Sequence, residues 1–170
     1  KKLIKKSGCT HEIDNELGIS RIDNRENHFI PNNEETKWIM ATSGTTNTPK
    51  IVFHSLETLI KNLKIDIKRG KQYKWGLLYS PYSFAGMQVL LQALISGSNL
   101  SIIDLSTNIS RQIDILIKDE VNALSATPTL WRKMLFFNKI SNLSLKQITL
   151  GGEIVDQKII NVLMKTFSNA

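Results

Sequence analysis

A chain of 170 residues, 41% hydrophobic and 22% charged, has the size and composition of one soluble globular domain and not of a disordered polymer. Its single cysteine, Cys9, excludes an intrachain disulfide scaffold and makes a reducing cytoplasm the expected compartment. The most apolar stretch, residues 84–95, is shorter than the ~20 residues a bilayer span requires and carries Gln88 and Gln92. Net charge is +7, from 22 basic and 15 acidic residues. Residues 1–37 are neutral, with seven side chains of each sign, so the excess lies beyond them. The densest basic stretch runs from Lys61 to Lys74 and faces only Asp66, but no base-reading motif or aromatic interleaving accompanies it, so nucleic acid is not expected as a partner.

Residues 1–36 carry little periodicity and contain Gly8, Gly18 and a Pro31-Asn32-Asn33 turn signal, which predicts an irregular lead-in. Trp38 to Ala41 reads as a short apolar strand, Thr42 to Pro49 as a hydroxyl-dense loop, and Ile51 to Phe53 as a second strand. Leu56, Leu59, Ile60, Leu63 and Ile67 opposite Lys61, Lys64 and Lys68 predict one amphipathic helix from about Leu56 to Arg69. Trp75 to Tyr79 is a strand ended by Pro81. Phe84 to Ser96, apolar almost all round, predicts a helix buried on most of its surface and stopped at Gly97.

A strand at Leu100 to Ile103 follows, then a helix marked by Ile109, Ile113, Leu116 and Ile117, and a strand at Val121 to Ala126. Pro128 suits the first turn of a helix through Trp131 and Leu135. Gln147 to Leu150 is a last strand, and Ile159, Ile160, Leu163, Met164 and Phe167 form the apolar face of a last helix. Alternation of strand and helix from Trp75 onward predicts an α/β fold with a parallel β-sheet flanked by helices, in which ligands gather beyond the carboxyl ends of the strands.

The chemistry-bearing stretch is Thr42-Ser43-Gly44-Thr45-Thr46-Asn47-Thr48-Pro49-Lys50, with five hydroxyls, one glycine and one lysine between two apolar strands. Ser/Thr clusters are most often surface turns. Successive N–H and hydroxyl donors, with a glycine that lets backbone approach a ligand and a mobile cation, also make an anion site. A Walker loop is excluded, because Pro49 precedes the lysine and Ile51 follows it. Other constellations fail as well. His11-Glu12 has Asn15 where a zinc-protease helix needs a second histidine, and His11, His28 and His54 show no ligand spacing with Cys9. Trp131 is expected to be core.

Residues Ile39 to Lys50 closely resemble the AMP-binding signature of adenylate-forming enzymes, a family of acyl- and aryl-CoA synthetases, peptide-synthetase adenylation domains and luciferases. Asn47 stands where that family has Gly or Ser, and Ile51 where it often has Gly. Ser80-Pro81-Tyr82-Ser83-Phe84-Ala85-Gly86, Ala126-Thr127-Pro128-Thr129 and Leu150-Gly151-Gly152-Glu153 follow in the family's order, over about Trp38 to the end of the chain. The resemblance implies one incomplete α/β subdomain, residues 37–170, of the large N-terminal domain of an ATP-dependent carboxylate-activating ligase.

It further implies that Thr42, Ser43, Gly44, Thr45, Thr46 and Lys50 bind the ATP phosphates, and that Gly151, Gly152 and Glu153 lie beside adenine. Tyr82, Phe84, Ala85 and Gly86, with Met87 nearby, would wall the acyl pocket, which is expected to be apolar and without acidic specificity. The expected ligands are ATP, Mg2+, a small carboxylic acid, and CoA or pantetheine, the latter on a carrier protein. The family's magnesium carboxylate, ribose aspartate and adenylating lysine have no match in this chain. No complete catalytic set or metal site is therefore expected, and the chain alone is expected to be inactive, a fragment that needs the remainder of the enzyme. A non-catalytic nucleotide- or partner-binding module derived from the same fold is the alternative.

Overall fold

The computed structural model describes residues 11–13, 19–21, 37–42 and 50–168. The chain divides into two units, Lys1–Leu59 and Ile60–Ala170. In the first, β1 (His11–Ile13) and β2 (Ile19–Arg21) pair antiparallel. This ordered pair lies within the expected irregular lead-in, and strands of three residues are too short to register as a period-2 pattern. The hydroxyl-rich loop is bracketed by β3 (Lys37–Thr42) and β4 (Lys50–Ser55), an antiparallel pair in which Thr42 is the register partner of Lys50.

The expected helix from Leu56 to Arg69 is two short helices, α1 (Leu56–Ile60) and α2 (Ile67–Gly70). Tertiary hydrogen bonding overrides the apolar period here. The side-chain amide of Gln92 accepts from the Lys64 N–H at 3.1 Å and donates to the Lys64 carbonyl at 2.9 Å, taking both backbone groups away from a helical ladder. Asp66 then caps a new start by accepting from the Arg69 N–H at 3.1 Å. Lys61, Lys64 and Lys68 therefore share no continuous helical face.

The second unit follows the expected alternation. Four parallel strands, β5 (Lys74–Leu77), β6 (Asn99–Ile102), β7 (Ala123–Ala126) and β8 (Gln147–Leu150), are ordered β6-β5-β7-β8. Between and after them lie α3 (Phe84–Ser96), α4 (Ile109–Lys118), α5 (Pro128–Leu135), a 3-10 turn at Asn138–Asn142, and α6 (Gln157–Thr166). Each of the four helices starts on a side-chain cap. Ser83, Asn108, Thr127 and Asp156 accept from the N–H groups of Gly86, Arg111, Leu130 and Ile159. At the other end of α3, Gly97 adopts the left-handed conformation, φ 66°, that stops the helix.

The sheet's two faces are covered unequally. On one, Leu78, Leu124 and Ala126 pack with Ile113 and Leu116 of α4, Trp131 and Met134 of α5, and Ile159 and Leu163 of α6. Burying each such aliphatic side chain is worth about 1.5–3 kcal/mol. Trp131 is core as expected, fully buried, with its indole N–H donating to the Thr149 carbonyl at 3.3 Å. On the opposite face, the smaller cluster of Trp75, Leu77 and Ala123 packs against Val89 and Ala93 of α3. Helix α3 is less enclosed than its composition suggests, and Leu94 is exposed.

Candidate functional site

The strand order places the reversal of chain direction across the sheet between β5 and β7, since β5 leads through α3 to β6 on one side and β6 leads through α4 to β7 on the other. Crevices form beyond the carboxyl ends of strands at such a point. Within Ile60–Ala170, α4, α5 and α6 occupy one face and α3 packs on the other over Trp75 and Leu77, leaving β7 and β8 open on that side. A groove of about 360 Å³ lies there.

Strand periodicity decides which side chains line it. Trp75 and Tyr79, Ser125, and Gln147 and Thr149 share the open face, because alternate residues of a strand point the same way. Helix periodicity supplies the opposite wall through Phe84, Ala85, Gln88, Val89 and Gln92. Gly151 and Gly152, just past β8, form the rim. A Cβ at Gly151 would meet nothing within 4 Å, so this backbone is an open ledge that a flat ligand can approach. Gly152 has φ 80°, a left-handed conformation that turns the chain back toward α5.

Glu153 does not line the groove. Its Oε2 accepts from the Thr129 N–H at 2.9 Å, tying the glycine ledge to the first turn of α5. Hydrogen bonds from the Thr129 hydroxyl and N–H hold its carboxyl below the ordinary glutamate range, with smaller help from Thr127 and Arg132. Tyr79 is half-buried at the end of β5. Burial pushes its phenol up, a hydrogen bond with Ser125 pulls it partly back, and the Glu153 charge raises it further. Tyr79 is therefore a neutral donor at physiological pH.

The residues singled out in the sequence separate into three groups. Phe84, Ala85, Gly151 and Gly152, from two segments far apart in the chain, meet around one groove. Tyr82, Gly86 and Met87 do not line it. Tyr82 is 85% exposed, and Gly86 is buried against the turn before α3, where an added Cβ would fall 2.0 Å from the Ser80 carbonyl oxygen. Of the phosphate-loop residues, Ser43, Gly44, Thr45 and Thr46 lie outside the described residues, and Thr42 and Lys50 are placed as the paired strand ends that flank them. Sequence reasoning missed Tyr79, Gln88, Ser125 and Thr149. The signal was available for three of them, as residues of one parity at the carboxyl ends of parallel strands.

The open glycine ledge beside a groove fits a nucleotide base. Magnesium does not find a fit, since no group of three or more His, Cys, Asp or Glu side chains among the described residues could hold a metal ion. No described helix is long and apolar enough to cross a membrane.

Two curated relatives are similar in sequence. A plipastatin synthase of Bacillus subtilis (strain 168) is 26% identical over 94% of this chain, and bacitracin synthase 3 of Bacillus licheniformis is 31% identical over 70% of it. The matched regions span 7% and 2% of those proteins. Among solved structures, the N-terminal subdomain of Klebsiella oxytoca NpsA, in complex with anthranilyl-AMSN, matches with TM-score 0.65 and 19% identity, covering 76% of this chain and 35% of that one. The luciferase-like enzyme of the mealworm Zophobas morio matches with TM-score 0.61 and 16% identity, covering 91% and 37%. At these identities the structural matches establish a shared fold. A family model described as AMP-binding enzyme matches residues 3–170, and the chain belongs to that family.

Proposed function

We propose that this chain is part of an ATP-dependent carboxylate-activating ligase. Its open groove takes the carboxylic acid and its glycine ledge takes the adenine of ATP. The observation that carries this reading is the convergence of Phe84 and Ala85 from α3 with Gly151 and Gly152 after β8 around one groove at the sheet's switch point. In the proposed reaction a carboxylate oxygen attacks the α-phosphorus of ATP, the bond to pyrophosphate breaks, and an acyl adenylate forms. A thiol, from CoA or a carrier-bound pantetheine, then attacks the acyl carbon and releases AMP.

The chain's own contribution is positional. Carboxylate and triphosphate repel each other, and holding them in line converts an unfavourable encounter into an intramolecular one. Phe84, Ala85 and Val89 offer apolar contact to the acid's body, and Tyr79 and Ser125 supply neutral hydroxyls near the strand ends. Gly151 leaves room for the base, and Glu153 keeps the ledge against α5. The loop between Thr42 and Lys50 is the proposed phosphate cradle, with hydrogen bonds to charged oxygens worth about 1.5–3 kcal/mol each. No step is routed through magnesium.

The chain spans 35% of the NpsA subdomain structure it resembles. Machinery that acts as a unit loses nearly everything when divided, so the 170-residue chain is proposed to bind ATP and acid without turning them over. Acid-dependent ATP–pyrophosphate exchange and equilibrium ATP binding test this together. Weak ATP binding that Lys50→Ala diminishes, with no exchange, is the expected result. Robust exchange abolished by Lys50→Ala would refute the inactivity, and ATP binding indifferent to both Lys50→Ala and substitutions at Gly151 would remove the nucleotide assignment.

A further inference from the structure

Resting on the reading of the groove as the acid site, we infer that it selects carboxylic acids that carry no ammonium group. Fifteen residues line the groove, and none is Asp or Glu. The single formal charge among them is positive, on Lys64. Its place on the wall is fixed, because Gln92 bonds both the N–H and the carbonyl of Lys64 and so holds that backbone in position. The same two bonds occupy both ends of the Gln92 amide, which leaves it poorly placed to receive a cation.

The nearest anion, Glu153, stands outside the lining, with Oε2 accepting from the Thr129 N–H at 2.9 Å. Tyr79 and Ser125 satisfy each other through their hydroxyls. An ammonium brought into this groove would lose water, meet no carboxylate, and share the space with a lysine of the same sign. A desolvated charge without a partner is expensive, and a like charge adds to the cost. A hydrogen or a hydroxyl at the same position meets neither penalty, because Thr149 and Ser125 offer neutral donors and acceptors and Trp75, Phe84 and Val89 offer apolar surface.

Matched acids isolate this term. Titrating the full chain with 3-phenylpropanoate, 2-hydroxy-3-phenylpropanoate and phenylalanine at pH 7, by ligand-observed NMR, compares three ligands that differ only at the α-carbon. An aliphatic set built on 4-methylpentanoate covers a smaller body. The unsubstituted and hydroxy acids of at least one set are expected to bind within about threefold of each other and at least about tenfold more tightly than the amino acid, tenfold being 1.4 kcal/mol. Ala85→Asp places a carboxylate on the wall in the first turn of α3, where the helix end favours it. This variant should narrow the gap by about tenfold.

Equal or tighter binding of the amino acid to the unsubstituted chain would overturn the inference. Loss of the hydroxy acid together with the amino acid would also overturn it, by showing that space and not charge excludes the substituent. A gap unchanged in folded Ala85→Asp protein would refute the electrostatic account. If no acid of either set binds, the acid-site reading itself fails, which is a different result from a site that binds amino acids.

Discussion

Gly86→Ala tests the packing that sets the groove's α3 wall. The added Cβ would lie 2.0 Å from the Ser80 carbonyl oxygen, 2.7 Å from the Ser80 carbonyl carbon and 3.1 Å from the Pro81 Cα, where ordinary contact is 3.4–4 Å. All three obstacles are backbone, so no rotamer change relieves the clash. The oxygen also accepts hydrogen bonds from the Ser83 N–H at 2.9 Å and the Ser83 hydroxyl at 2.7 Å, so displacing it weakens the turn that starts the helix. Overpacking costs about 1–3 kcal/mol, and the two strained hydrogen bonds place this site at the upper end. Alanine's helix preference returns at most about 1 kcal/mol. The net expectation is a loss of about 2 kcal/mol, read as a fall of about 1 M in the urea midpoint at an m-value near 2 kcal/mol/M. Gly151→Ala is the companion, since its Cβ meets nothing within 4 Å. Its stability should stay within about 0.5 kcal/mol of the parent chain, while ATP binding weakens. A Gly86→Ala protein as stable as its parent would refute the argument that close approach to Ser80 is what requires glycine there.

Phe84→Ala should change which acids bind while costing under about 1 kcal/mol, because the ring is 49% exposed on the groove wall; an unchanged acid preference with a large stability loss would make Phe84 a core residue instead. Trp131→Ala should cost about 3–5 kcal/mol by chemical denaturation, since the indole is fully buried among α5, α6 and the sheet. Glu153 has its pKa lowered below the ordinary 4.5, first by the Thr129 hydroxyl and then by the Thr129 N–H. Its contribution to stability is therefore present above that value and lost as pH falls through the folded pKa. Denaturation midpoints of Glu153→Gln should decline less steeply than the parent's below pH 4.5, and parallel curves would show that the carboxylate does not hold the ledge.

Local order in the second unit was legible because it depends on neighbours in the chain. The residue spacing from Ile109 to Ile117 has the helical period, Gly97 supplies the left-handed stop, and Pro128 needs no N–H in a first turn, so α3, α4 and α5 can be read residue by residue. The hydroxyl-rich loop and the Gly151-Gly152 turn were legible for the same reason, as short contiguous stretches. The break between α1 and α2 was not, because the amide that captures Lys64 belongs to Gln92, 28 residues away. Nor could the sequence separate Phe84 and Ala85 from Tyr82 and Gly86, since that depends on which side of α3 meets the sheet. The groove is the clearest case. Amphipathic faces require that helices cover a sheet, but they do not say which face each one covers. Three helices with buried apolar stripes share one face and α3 packs on the other, so the open strip of β7 and β8, and with it the candidate site, exists only through long-range packing.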